Sequence, residues 1–147
     1  MIYTISDAAA HVGIAASTLR YYDKEGLLPF VDRSSSGTRM FKETDLEWLH
    51  LIECLKKTGM SIKEIKKFID LYSEGDITLE PRRAMFYERK QAVEEQMVAL
   101  QRTLDFVTYK CWFYDTAVEM GSAETAKGIK PEDMPKDILK MKQNAGV

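Results

Sequence analysis

The sequence predicts a mainly α-helical protein: a helix-turn-helix with a small β-hairpin wing, followed by a long coiled-coil helix. Three observations carry this prediction. Two short helical runs are separated by Gly13-Ile14-Ala15, polar residues 32–38 separate two short strand-like runs, and a seven-residue apolar repeat runs through the last third.

Each element follows from local chemistry. Thr4 is placed to cap a first helix, with Asp7 three residues on and Ala8, Ala9, Ala10 and Val12 behind it, and Gly13 ends the helix. Residues 16–25 form the second helix, with Leu19 and Tyr22 three apart on one face and Gly26 supplying a left-handed end. Residues 27–31 and 39–41 read as the strands of a hairpin whose loop is Asp32-Arg33-Ser34-Ser35-Ser36-Gly37-Thr38. Thr44-Asp45 opens a helix bearing Leu46, Leu49, Ile52 and Leu55. Thr58-Gly59 closes it, and Ser61 starts another with Ile62, Ile65, Phe68, Ile69 and Tyr72.

Beyond Gly75, Thr78-Leu79-Glu80-Pro81 leads into the longest helix, with proline near its first turn. Val93, Met97, Leu100, Leu104, Val107, Cys111, Tyr114 and Val118 recur at alternating steps of 4 and 3, an a/d heptad seam. A helix over 82–119 spans roughly 57 Å at ~1.5 Å per residue. The residues before it are too compact to line that length, so the seam predicts self-dimerisation; packing within its own domain is the alternative. Gly128, Pro131 and Pro135 predict a short, loosely ordered tail. The expected division is a winged helix-turn-helix at 1–76, a dimerisation helix at 77–120 and the tail at 121–147.

Composition narrows the function. The 147 residues exclude a large multidomain enzyme, and 45% hydrophobic with 30% charged residues is a folded-protein composition. With 21 Lys plus Arg against 23 Asp plus Glu, net charge −2, any nucleic-acid surface must be local. The start has neither a basic nor an apolar leader segment, and no 18-residue apolar run occurs, which predicts a cytoplasmic protein with no membrane partner. The cysteines, Cys54 and Cys111, lack zinc spacing, and neither metal nor cofactor is expected. No phosphate-loop, nucleophile-elbow or H-E-x-x-H pattern is present, so no catalytic residues and no enzyme are expected.

Basic charge is concentrated in the front half. Arg20, Lys24, Arg33, Arg39 and Lys42 fall within residues 17–42, and Lys56, Lys57, Lys63, Lys66 and Lys67 oppose only Glu64 within 56–67. Such clusters neutralise duplex phosphates and release counterions. Ser17, Thr18, Arg20 and Tyr21 lie near the start of the second helix, where free N–H groups and hydroxyls favour phosphate, and Arg20 has the reach for a guanine edge. Arg33 and Arg39 flank a wing loop whose Gly37 lets the backbone approach closely. The competing reading is that Arg20 and Arg39 pair with acids of the protein itself.

The segments Thr18-Leu19-Arg20-Tyr21-Tyr22-Asp23, Glu25-Gly26-Leu27-Leu28, Gly37-x-Arg39-x-Phe41, Asp45-Leu46 and Gly59-Met60-Ser61-Ile62-Lys63-Glu64-Ile65 resemble the N-terminal signature of MerR-type transcriptional regulators. The resemblance spans about residues 3–72. It implies a second, helical wing bringing Lys63 to DNA, an antiparallel coiled-coil homodimer, and two half-sites on double-stranded promoter DNA. It also implies that the protein bends and untwists an overlong promoter spacer so that RNA polymerase engages both elements, deformation costing about 1–6 kcal/mol. Helix contacts fall on Thr18, Arg20 and Tyr21 and wing contacts on Arg33 and Arg39. Thr38 and Phe41 stand where the family commonly has tyrosine.

For an input, residues 121–147 are too few for a drug-binding domain and contain neither Cys nor His for soft-metal sensing. Thiol chemistry remains. Cys54 has His50 four residues before it and Lys57 three after, and cationic neighbours favour the reactive thiolate. The bland alternatives are that Cys54 is a half-buried small hydrophobe and that Cys111 packs in the seam. Cys54-Leu55-Lys56-Lys57-Thr58-Gly59-Met60-Ser61 and Tyr109-Lys110-Cys111-Trp112-Phe113-Tyr114 resemble the AdhR/NmlR branch, which implies Cys54 as the sensor of aldehydes, nitrosothiols or related species, with Cys111 the lesser candidate. His11 is expected to be simply exposed. The alternatives are a DNA-binding regulator or architectural protein without any small-molecule input, and an interaction module that does not bind DNA.

Overall fold

The computed structural model describes residues 1–147, which divide into two compact units, Met1–Lys90 and Gln91–Val147. In the first unit a two-residue strand β1 (Ile2–Tyr3) precedes helices α1 (Ile5–Val12) and α2 (Ala16–Lys24). Strands β2 (Asp32–Arg33) and β3 (Arg39–Lys42) follow, then helices α3 (Glu43–Lys57) and α4 (Ile62–Ser73) and a short 3-10 turn, Asp76–Thr78. Helix α5 (Leu79–Met120) contributes its first turns to this unit and the rest to the second. Helices α6 (Ala123–Lys127) and α7 (Lys136–Ala145) complete the second unit.

The helix starts are chemically specified. Thr4 accepts a hydrogen bond from the Asp7 N–H at 3.2 Å while its own N–H donates to the Asp7 carboxylate at 3.3 Å, a reciprocal capping box. These bonds hold the Asp7 carboxyl below its usual pKa, because the Thr4 hydroxyl and N–H favour the anion. Ser61 and Glu64 repeat the device on α4, and the Lys42 N–H donates to the buried Asp45 at 2.8 Å where α3 begins. Gly13, at φ 78°, ends α1 by donating to the Ala10 carbonyl.

The hairpin differs from expectation. Residues 27–31 are not a strand: Leu27 and Leu28 are both fully buried, which the alternating faces of a strand at an exposed wing do not allow, and Pro29 lacks a donor. The polar pair of β2 takes that place, Asp32 opposite Met40 and Arg33 opposite Arg39. On the other edge of β3, Ile2 and Tyr3 pair with Lys42 and Phe41, giving the sheet order β1-β3-β2. The first unit's core joins Leu19, Tyr22, Leu27, Leu28, Phe41, Leu49, Ile52, Ile65 and Ile69.

In the second unit the expected loose tail is instead helical and packed. Ser122 caps α6 by accepting from the Thr125 N–H at 3.2 Å, and Ala126 joins Phe113 and Ala117 in a small core beside Trp112. Ile138 of α7 is buried. The Asn144 amide donates to the buried Asp105 carboxylate at 2.5 Å, and the Lys142 ammonium lies 5.5 Å from the Tyr109 ring. These contacts cover the α5 face bearing Asp105, Tyr109 and Phe113. The heptad seam lies elsewhere on the helix: Met97, Leu100, Leu104, Val107, Tyr114 and Val118 are all exposed.

Candidate nucleic-acid interface

The second helix of the helix-turn-helix, α2, is held from behind and open in front. Leu19 and Tyr22 enter the core, and the Tyr22 hydroxyl donates to the Glu53 carboxylate of α3 at 2.5 Å. Burial first, then the bond to Glu53 and its charge, raises the Tyr22 pKa well above the ordinary tyrosine value. Anchoring Leu19 and Tyr22 turns the intervening positions outward by helical periodicity. Ser17, Arg20 and Tyr21 are exposed, and Thr18 is half-buried beside them. Arg20 makes no ion pair within the protein, so the competing expectation of an internally paired residue does not describe it. No side chain caps the start of α2, which leaves N–H groups of its first turn directed outward near Ser17.

The wing is a tight structure. The Ser34 N–H donates to the Thr38 carbonyl at 2.8 Å and the Gly37 N–H to the Ser34 carbonyl at 2.9 Å. Gly37 sits at φ 82°, where side-chain-bearing residues are strained. Arg33 donates to the Gly37 carbonyl at 2.8 Å and pairs with Asp23 of α2 at 3.2 Å, with about half of its side chain still exposed.

Arg39 is paired within the protein. Its side chain is only 18% exposed, donates to the Val31 carbonyl at 2.9 Å and forms an ion pair with Asp23. Burial draws its pKa down from the usual arginine value. Its guanidinium is used within the protein, as the competing reading held, and the residue missed from sequence is its partner Asp23. Lys42 pairs with Asp32 at the base of the hairpin, and that bond raises its pKa.

Lys63 projects into solvent one residue after the Ser61-capped start of α4, close in sequence to Gly59 at φ 93°. The exposed members of the expected set are therefore Ser17, Arg20 and Tyr21 on α2, Arg33 and Gly37 on the wing, and Lys63 on α4. Helices α1 and α2 with the β2–β3 hairpin behind them define a winged helix-turn-helix protein.

Both thiols are free and exposed. Cys54 is thus not the half-buried hydrophobe of the bland alternative, and Cys111 lies in the uncovered seam. His50 and Lys57 are exposed on the same helix as Cys54. His11, exposed as expected, nevertheless has neighbours: its ring lies 6.4 Å from that of His50 and 5.8 Å from Tyr3. The end of α3 is tied to the start of α5, where Arg89 donates to the Gly59 carbonyl at 2.9 Å.

Known proteins share this fold. The pattern of the MerR HTH family regulatory proteins matches residues 3–71, and that of the MerR DNA-binding family matches 46–107. An uncharacterised HTH-type transcriptional regulator of Haemophilus influenzae is 48% identical over 124 residues, 84% of this chain and 92% of that protein. AdhR of Bacillus subtilis is 37% identical over 91 residues, 62% of this chain and 65% of AdhR. Among solved structures, HiNmlR, a MerR family regulator lacking the sensor domain and bound to promoter DNA, matches with a TM-score of 0.72. It is 47% identical, over 85% of this chain and 99% of HiNmlR. The chain belongs to the MerR family of transcriptional regulators, and its relatives match the AdhR/NmlR branch.

Proposed function

We propose that the protein works as a homodimer that grips promoter DNA at two half-sites, distorts it for RNA polymerase, and changes state when Cys54 is modified by an electrophile, aldehyde or nitrosothiol. The observation that carries the DNA reading is the outward set Ser17, Arg20 and Tyr21 on a helix whose opposite residues, Leu19 and Tyr22, are locked in the core. Such a helix presents side chains to a major groove without moving, and phosphate contacts from the wing and Lys63 fix its register. Arg20→Ala should weaken binding to a selected duplex and relax its sequence preference, whereas loss of a phosphate contact reduces the salt slope by about 1.

The dimer reading is supported by the seam. Six of its apolar side chains are exposed, while α6 and α7 occupy a different face of α5, leaving the heptad stripe for a second copy.

The thiol reading is supported by position. Cys54 is exposed one turn before the end of α3, and its carbonyl accepts the Thr58 N–H at 3.2 Å in the elbow that leads to Gly59. Gly59 in turn accepts from Arg89. Enlarging or charging the Cys54 side chain acts on that elbow and so on the first turns of α5. Transcription from a target promoter with Cys54→Ser tests it: the variant should lose the aldehyde and nitrosothiol responses while still binding DNA. An undiminished response removes the thiol from the mechanism and leaves a DNA-binding regulator without this input.

A further inference from the structure

The wing and the recognition helix share a single carboxylate. In register, Arg33 on β2 stands directly opposite Arg39 on β3, a placement in which like charges repel. Asp23, in the last turn of α2 and 20% exposed, bonds to both guanidiniums. Each arginine then reaches further into the wing, Arg33 to the Gly37 carbonyl at the loop tip and Arg39 to the Val31 carbonyl at its base. One side chain of the reading helix thereby holds both strands of the hairpin. The three charges sum to +1, where two unpaired arginines would place +2.

We propose that Asp23 is the positioning residue that sets the wing against the recognition helix and so fixes how well the protein discriminates among DNA sequences. This rests on the DNA-binding reading. A wing held at one distance lets its phosphate contact form only when α2 is in register with its bases. A wing carrying two unrestrained guanidiniums takes phosphate in any register, because phosphate is the same at every step. Asp23 also withholds charge that a random duplex would otherwise attract.

The test uses the full-length protein, a duplex of about 30 base pairs selected by the wild type from a randomised library, and the unselected pool. Dissociation constants are measured across a salt series for wild type, Asp23→Asn and Arg33→Gln. For Asp23→Asn the expected result is tighter binding to the pool. Its salt slope should steepen by about 0.9 for each guanidinium that moves to a phosphate. The selected-to-pool ratio should fall about tenfold, the scale of one mismatched base pair.

A parallel loss on both DNAs at constant slope and ratio would make Asp23 a stabiliser of the fold only and overturn the proposal. Arg33→Gln leaves the half-buried Asp23–Arg39 pair in place, so it keeps the test alive if Asp23→Asn does not fold. It should lower the ratio and speed amide exchange over residues 34–38, and an unchanged ratio refutes the clamp. A wild type that selects no duplex at all would instead remove the DNA-binding reading itself.

Discussion

Leu104 lies at the middle of the exposed seam, 56% exposed in the single chain, so replacing it separates association from folding. Covering a fully exposed leucine is worth about 1.5–3 kcal/mol, so a side chain with roughly half its surface still open gains about 1–1.5 kcal/mol when a partner covers it. A two-fold contact uses the residue twice, giving about 2–3 kcal/mol per dimer. At about 1.4 kcal/mol per decade, Leu104→Ala should weaken dimerisation about 30- to 150-fold. Alanine is a better helix former than leucine, so helical content should stay constant. Sedimentation velocity over a nanomolar-to-micromolar series, with circular dichroism alongside, reads both quantities. A dissociation constant within about threefold of wild type, or a wild type that stays monomeric, would refute the assignment of this stripe to a second copy.

Two further outcomes are expected. The Tyr22 pKa is higher folded than unfolded, so its contribution to stability is complete below about pH 10 and is lost as the pH rises beyond that value. Tyr22→Phe should flatten the alkaline fall in denaturant midpoint, and an unchanged alkaline profile would show that Tyr22 does not contribute to it. Asn144→Ala leaves the buried Asp105 with Gln101 at 2.8 Å but without its α7 donor, at a cost of about 1–3 kcal/mol. Amide exchange should accelerate across 136–145; unaltered exchange would show that the bond does not hold the helix.

How much was legible in the sequence varied with the range of the interactions. The helix-turn-helix and the long helix were readable because their signals are local: Thr4 with Asp7, Gly13, and the seam from Val93 to Val118. The long helix runs Leu79–Met120 where 82–119 was expected. Strand β1 was invisible because two residues acquire meaning only by pairing with Phe41 and Lys42, far along the chain. The hairpin's first strand was misplaced because apolar residues 27–31 look strand-like, although Leu27, Leu28 and Val31 are all core residues of an irregular connection. In the tail, Gly128, Pro131 and Pro135 outweighed the quieter signals of a Ser122 cap and an apolar Ile138, whose partners lie on α5.

Site residues followed the same rule. Ser17, Arg20 and Tyr21 could be placed outward from helical periodicity alone, since Leu19 and Tyr22 mark the inner face. Arg39 could not, because its fate depends on Asp23, 16 positions earlier in the chain. The available signal was an acid in the last turn of the second helix followed by two arginines flanking a short loop, a pattern that reads equally well as free charge.

The bond from Arg89 to residue 59 ends on a peptide oxygen, an atom that every amino acid supplies. Exchanging the side chain at 59 cannot delete that acceptor, although the positive φ there penalises anything but glycine. The donor belongs to position 89 alone. Of the two ends of this tie, only one is written in a codon that a single replacement can erase, so inherited variants that break it without disturbing the elbow's backbone would be found at 89.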